Sequence, residues 1–260
     1  MTPVTLFLAT VVKFSVLVFF IRVLFFLLGS HAFFLFWKPF FLSVAAGSIV
    51  FGAFGALLQT KIKRFIGYTA INQMGYLFIG ISSGDSFGLQ SSFLYLFFYI
   101  VMGFSFFSVV MYVYEIDTGK DIIFLSQLRV FGWEHKNLSI FLALILFSMA
   151  GIPPLAGFFG KFFLLFSAFK AGNYSLVVLG LIMNAVSSFY YLRLIKCLFF
   201  VRARGVSKFS FFCGLSPYFV FLVNCTLTGL GLILVVSPFF LNKLLQNIDL
   251  LVFSAKYIQL

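Results

Sequence analysis

The sequence predicts an all-α polytopic membrane protein of about seven transmembrane helices, one of them discontinuous. Three observations carry this expectation. Of the 260 residues, 63% are hydrophobic and 9% charged, where soluble domains carry about 25% charged residues. The mean hydropathy is +1.15. The apolar stretches run on for the ~20 residues a bilayer requires, without the alternation of barrel strands. Disorder is excluded as well, because it needs low hydrophobicity and high charge. In lipid, continuous apolar runs satisfy their backbone as helices.

The expected spans follow in order. The first is Pro3–Leu28; it carries Lys13 and Arg22 and is too long for the core of a cleaved signal peptide. The second is Pro39–Leu58. The third, Phe65–Ser82, is the most polar, with Tyr68, Thr69, Asn72, Gln73 and Tyr76. The fourth is Leu89–Tyr114. The fifth, Leu138–Phe169, is broken at 151–154, because Pro153-Pro154 removes two backbone donors beside Gly151. The sixth is Tyr174–Phe200 and the seventh Phe211–Leu241. Together they form one membrane domain over 1–260. The connection Glu115–Asn137 reads as a solvated loop with a short amphipathic helix. The tail Asn242–Leu260 reads as a short surface helix.

Net charge is +12, from 18 Lys+Arg against 6 Asp+Glu. The basic residues sit mostly between apolar runs in short clusters, so they read as orientation signals and not as a nucleic-acid footprint. Seven spans put Lys61, Lys63, Arg64, Lys120, Arg129, Lys136, Arg202, Arg204 and Lys208 on the N-terminal side. Lys38, Lys170, Lys243 and Lys256 fall on the other. The positive-inside rule then places the N-terminus in the cytosol or matrix. Phe occurs 43 times; an AT-rich, organellar gene would favour its codon. Cys197, Cys213 and Cys225 form no CxxC pattern and no cluster with His31 and His135. No metal and no redox centre is therefore expected in this chain.

Two lysines in apolar spans are the sharpest chemical signal. Lys13 is nine residues past Val4, which is ~14 Å down a ~30 Å core at 1.5 Å per residue. A lysine there costs at least ~2.5 kcal/mol on insertion scales and is a functional candidate. Lys161 follows the proline pair. Broken helices near the midplane mark ion sites in transporters; a simple proline kink is the plainer reading. Two lysines on neighbouring helices would repel when both are charged, so the charge state of one biases the other. That is the chemistry of a proton path. Asn72, Gln73 and Tyr76 either line water or bond a neighbouring helix. Arg22, Arg193 and Lys196 read as interface anchors. Nothing supports hydrolytic or nucleophilic catalysis.

Several stretches together resemble one family. They are Lys13-Phe14-Ser15 with Arg22-Val23-Leu24-Phe25; Gln59 to Tyr68 followed by Asn72-Gln73-Met74-Gly75-Tyr76; Ala150 to Phe162; and Phe189-Tyr190-Tyr191-Leu192-Arg193. They look like subunit 2 of mitochondrial NADH:ubiquinone oxidoreductase, the counterpart of bacterial subunit N, among the antiporter-like subunits of complex I. The resemblance runs through most of the chain and is weakest in Glu115–Asn137 and the last thirty residues.

The resemblance implies the second inverted repeat of an antiporter-like fold. It implies a proton half-path coupled to NADH:ubiquinone electron transfer, with Lys13 and Lys161 as proton carriers. Pro153, Pro154, Gly151, Gln73, Asn72 and Tyr76 would support them. Gln73 stands where relatives often have histidine, and a glutamine does not titrate. FMN, iron–sulfur clusters and ubiquinone are expected elsewhere in the complex. The expected partners are other membrane-arm subunits, lipids and a separate chain carrying the N-terminal half of a split subunit, with no nucleic acid. The expected location is the mitochondrial inner membrane, with the N-terminus on the matrix side. The rival expectations are a stand-alone cation/proton antiporter subunit and a scaffold subunit of the same complex.

Overall fold

The computed structural model describes residues 12–13, 15–21, 23, 37–115, 124–125, 136–200, 209–211, 231, 240, 243, 245–246 and 248. Most of the expected seventh span, of the tail and of the Glu115–Asn137 connection lies outside the described residues. So do Arg22, His31, His135, Cys213 and Cys225.

Helical residues at 15–21 precede six helices: α1 (Lys38–Leu57), α2 (Ile62–Ser83), α3 (Ser86–Tyr112), α4 (Lys136–Ala150), α5 (Ala156–Lys170) and α6 (Tyr174–Phe199). Two three-residue strands, β1 (Val113–Glu115) and β2 (Phe209–Phe211), pair antiparallel. The chain is thus an all-α membrane protein whose one described sheet is a short clasp. Helix α1 opens on Pro39, whose fixed φ suits the first turn and whose missing N–H would be unpaired there anyway. Helix α2 closes on Gly84 at φ 75°, whose N–H bonds the Ile81 carbonyl at 3.2 Å.

Burial separates the helices into an inner and an outer set. Helix α2 packs against α1, α3 and α5, and its polar residues Thr69, Asn72, Gln73 and Tyr76 are all buried. Helix α3 is mostly buried too. By contrast α1 presents Phe51 and Phe54 outward, and α6 presents Val178, Leu181, Ile182 and Phe189. These faces suit lipid, whereas the polar face of α2 suits protein. At Gly52 a side chain would reach 2.5 Å from the backbone N of Asn72, so only glycine lets α1 and α2 approach this closely.

Helices α4 and α5 have 15 residues each, about 22 Å apiece at 1.5 Å per residue, too short to cross a ~30 Å core alone. In sequence they are the two halves of one interrupted span. The interruption lies at 151–155 and includes a cis Pro153-Pro154 bond.

Phe211, near the expected start of the seventh span, lies in β2 opposite Val113. Two extended segments emerging on the same side satisfy each other's backbone there, which an isolated hydropathy reading misses. A second backbone link joins neighbouring connections: Leu125 N–H donates to the Thr60 carbonyl at 2.9 Å, beside a bridge between Lys61 and Phe124.

Candidate functional site

The site grows out of the break between α4 and α5. An α-helix pairs each carbonyl with the N–H four residues on. Helix α4 ends in a Schellman turn: Gly151 sits at φ 82°. Its N–H bonds the Ser148 carbonyl at 3.1 Å, and the Ile152 N–H bonds the Phe147 carbonyl at 3.2 Å. The next two carbonyls, of Met149 and Ala150, would need donors from residues 153 and 154. Both are prolines and have none.

Lys161, on the second turn of α5, supplies them. Its Nζ donates to the Met149 carbonyl at 2.9 Å and to the Ala150 carbonyl at 3.5 Å. A third bond runs to Asn184 Oδ1 on α6, at 2.8 Å. The Tyr76 ring of α2 covers the amine, 5.2 Å from its centroid. Lys161 is 3% exposed. An ammonium has three N–H donors, and here each meets an oxygen. The amine also stands at the negative end of the α4 dipole, which favours a cation. No carboxylate joins this cluster among the described residues. The charge is held by neutral dipoles, an arrangement in which a proton can be held without a fixed counter-ion.

Above Tyr76, a buried polar chain links three helices. Tyr95 Oη on α3 donates to Gln73 Oε1 in a short contact. Gln73 Nε2 on α2 donates to Tyr191 Oη on α6 at 3.4 Å. Asn72 Nδ2 donates to Tyr190 Oη at 3.2 Å, and Tyr76 Oη to the Gly180 carbonyl at 2.8 Å. The Tyr190 and Tyr191 rings lie 4.6 Å apart. Asn72, Gln73 and Tyr76 of α2 therefore bond neighbouring helices. Asn72 Oδ1 is buried without a partner.

The expected residues divide accordingly. The structure joins Lys161, Gly151 and Tyr76 directly, with Gly151 against the Lys161 stem. Gln73 and Asn72 lie in the adjoining tyrosine network. Pro153 and Pro154 are exposed at the break. Lys13 is helical and half-buried, and no contact among the described residues ties it to the Lys161 cluster. Sequence reading missed Asn184, Tyr95, Tyr190 and Tyr191 as site residues. Asn184 carried a usable signal, since it is the one side-chain amide in α6.

Fold and site together define a class: a polytopic helical membrane protein whose discontinuous helix folds a buried lysine back onto its own broken backbone. Over residues 1–187 the chain matches the family described as NADH:quinone oxidoreductase/Mrp antiporter, transmembrane, and it belongs to that family. It is similar to NADH-quinone oxidoreductase subunit N of Pelagibacter ubique, with 39% identity over 78% of this chain and 42% of that protein. NADH-ubiquinone oxidoreductase chain 2 of Arabidopsis thaliana is 37% identical over 78% of this chain and 39% of that one. Among solved structures, a chain of respiratory complex I from Thermus thermophilus with bound Aureothin superposes with a TM-score of 0.67. It is 26% identical, over 80% of this chain and 45% of that one. The chain thus spans less than half the length of these relatives.

Proposed function

We propose that this chain is a membrane-arm subunit of respiratory complex I and provides a proton-translocation half-path coupled to NADH:ubiquinone electron transfer. The observation that carries the reading is the Lys161 amine, buried at a helix break and held by three neutral oxygens. A charge so placed can be gained and lost without breaking an ion pair. The exposed Pro153-Pro154 pair gives water access to it. Lys13 is the second proton carrier of the path, and Gln73, Asn72 and Tyr76 hold the helices around it. Redox chemistry belongs to other subunits, where FMN, iron–sulfur clusters and ubiquinone are bound.

The relatives named subunit N and chain 2 support this placement, and in this reading the chain lies in the mitochondrial inner membrane and is organelle-encoded. The family description also names the Mrp antiporter, so stand-alone cation/proton exchange is the second reading.

A native-gel separation of solubilised membranes, with NADH dehydrogenase staining and mass spectrometry of the stained band, separates the two. Co-migration with NADH activity, with other membrane-arm subunits among the peptides, is expected. Migration in a small assembly without that activity would favour the antiporter. In the assembled complex, Lys161→Ala and Lys13→Ala should each lower the proton-to-electron ratio while NADH staining persists. Wild-type ratios in assembled variants would overturn the assignment of these lysines.

A further inference from the structure

Asn184 meets Lys161 with one end of an amide whose other end has the opposite polarity. The Oδ1 atom accepts from the ammonium at 2.8 Å. The Nδ2 group lies on the Gly151 side, 3.7 Å from where a side chain would begin there. The Ser187 hydroxyl, one turn on, donates to the Asn184 backbone carbonyl at 2.8 Å and reaches its Oδ1 at 3.5 Å.

The three oxygens around Lys161 are all acceptors, so they match an ammonium and mismatch an amine. A neutral amine has two N–H groups and a lone pair that needs a donor. Backbone carbonyls cannot supply one. The Tyr76 hydroxyl is committed to the Gly180 carbonyl. Asn184 can, by rotating its amide half a turn at nearly constant shape.

We propose that Asn184 is a positioning residue that reads the protonation state of Lys161 by turning its amide. This rests on the proton-carrier reading of Lys161. In the step, Nζ turns the N–H of its longest bond, to the Ala150 carbonyl at 3.5 Å, toward a water molecule at the Pro153-Pro154 break and passes it that proton; the electron pair stays on Nζ, which rotates to face Asn184. The Asn184 amide turns, and Nδ2–H donates to that pair. Re-protonation from water reverses both movements. The amide thus keeps the neutral amine paired and in place, so that the proton can return to the same atom.

The variants at position 184 separate this from simple packing. Asn184→Asp keeps the shape and an acceptor, has no N–H and adds a charge that pairs with the ammonium. Asn184→Leu keeps the approximate volume and has neither. Asn184→Gln keeps both ends of the amide. Proton translocation per electron is measured in sealed vesicles bearing the intact complex, with Lys161→Ala alongside. Asp and Leu should each lower translocation roughly two- to tenfold, the scale of one neutral hydrogen bond. Gln should retain most of it.

Wild-type translocation in Asn184→Asp would overturn the proposal, because an acceptor alone would then suffice. If the Asp variant does not assemble, Leu and Gln decide: equal translocation in the two overturns it. Wild-type translocation in Lys161→Ala instead overturns the underlying reading of the lysine, whatever the Asn184 variants do.

Discussion

At the scale of single residues, the site is an exchange of backbone donors for a side chain. Pro153 and Pro154 withdraw two N–H groups, and Lys161 returns two through one amine. Its structural contribution can therefore be measured apart from any proton chemistry. Lys161→Met has similar length and no donors, leaving the Met149 and Ala150 carbonyls and Asn184 Oδ1 without their partner. Each unpaired buried acceptor costs about 1–3 kcal/mol. A lowered melting temperature of the solubilised complex is the expected result; an unchanged one would mean that water replaces the amine. Gly151→Ala should destabilise by about 1–2 kcal/mol, because φ 82° is the left-handed region that a Cβ disfavours. Its Cβ would also stand 3.3 Å from the Lys161 stem. The same melting measurement checks it. Lys161 was legible from the membrane cost of a charge. Asn184 stood out as the one side-chain amide of α6, but its partner did not, because an amide in an apolar span has too many possible partners to name one.

At the scale of elements, the discontinuous helix and helix α2 teach opposite lessons. The break in the fifth span was legible because two adjacent prolines remove backbone bonds whatever the surroundings. The role of α2 was left open between lining water and bonding neighbours, and the structure places its amides and Tyr76 against α3 and α6. Hydropathy ranks α2 as the most polar span, and yet it is an inner helix, because its polar groups find partners away from lipid. The proline prediction belongs here. The double variant Pro153→Ala/Pro154→Ala restores the two N–H groups, which then compete with Lys161 for the Met149 and Ala150 carbonyls. The complex should assemble, with NADH staining retained, and translocate fewer protons per electron. Wild-type translocation would mean that the break is dispensable.

At the scale of the whole molecule, charge and backbone pairing point to the same sidedness. The charge bias groups the connections after the second, fourth and sixth spans on one side. The structure ties those connections to one another: Thr60 and Lys61 to Phe124 and Leu125, and β1 to β2. At the other end Lys170 lies over the rings of Phe87 and Phe166, at 4.6 and 4.7 Å, as an anchored interface cation does. Single cysteines placed by Lys61→Cys and Lys170→Cys, in a chain with its native cysteines changed to serine, should react with a membrane-impermeant thiol reagent from opposite faces. Reaction of both from one face would contradict the topology.

The sequence by itself determined that the chain lives in a bilayer and that one span must break, and it singled out Lys161 as a charge within that span. These properties are local: hydropathy, missing N–H groups and the desolvation of a charge are each fixed by a residue and its chain neighbours. The tertiary structure alone decided what Lys161 meets. The Met149 and Ala150 carbonyls are near in sequence, but Asn184 and Tyr76 come from separate helices. So do Tyr95, Gln73 and Tyr191. Contacts between helices depend on their rotation and register against one another, which no window along a single helix contains.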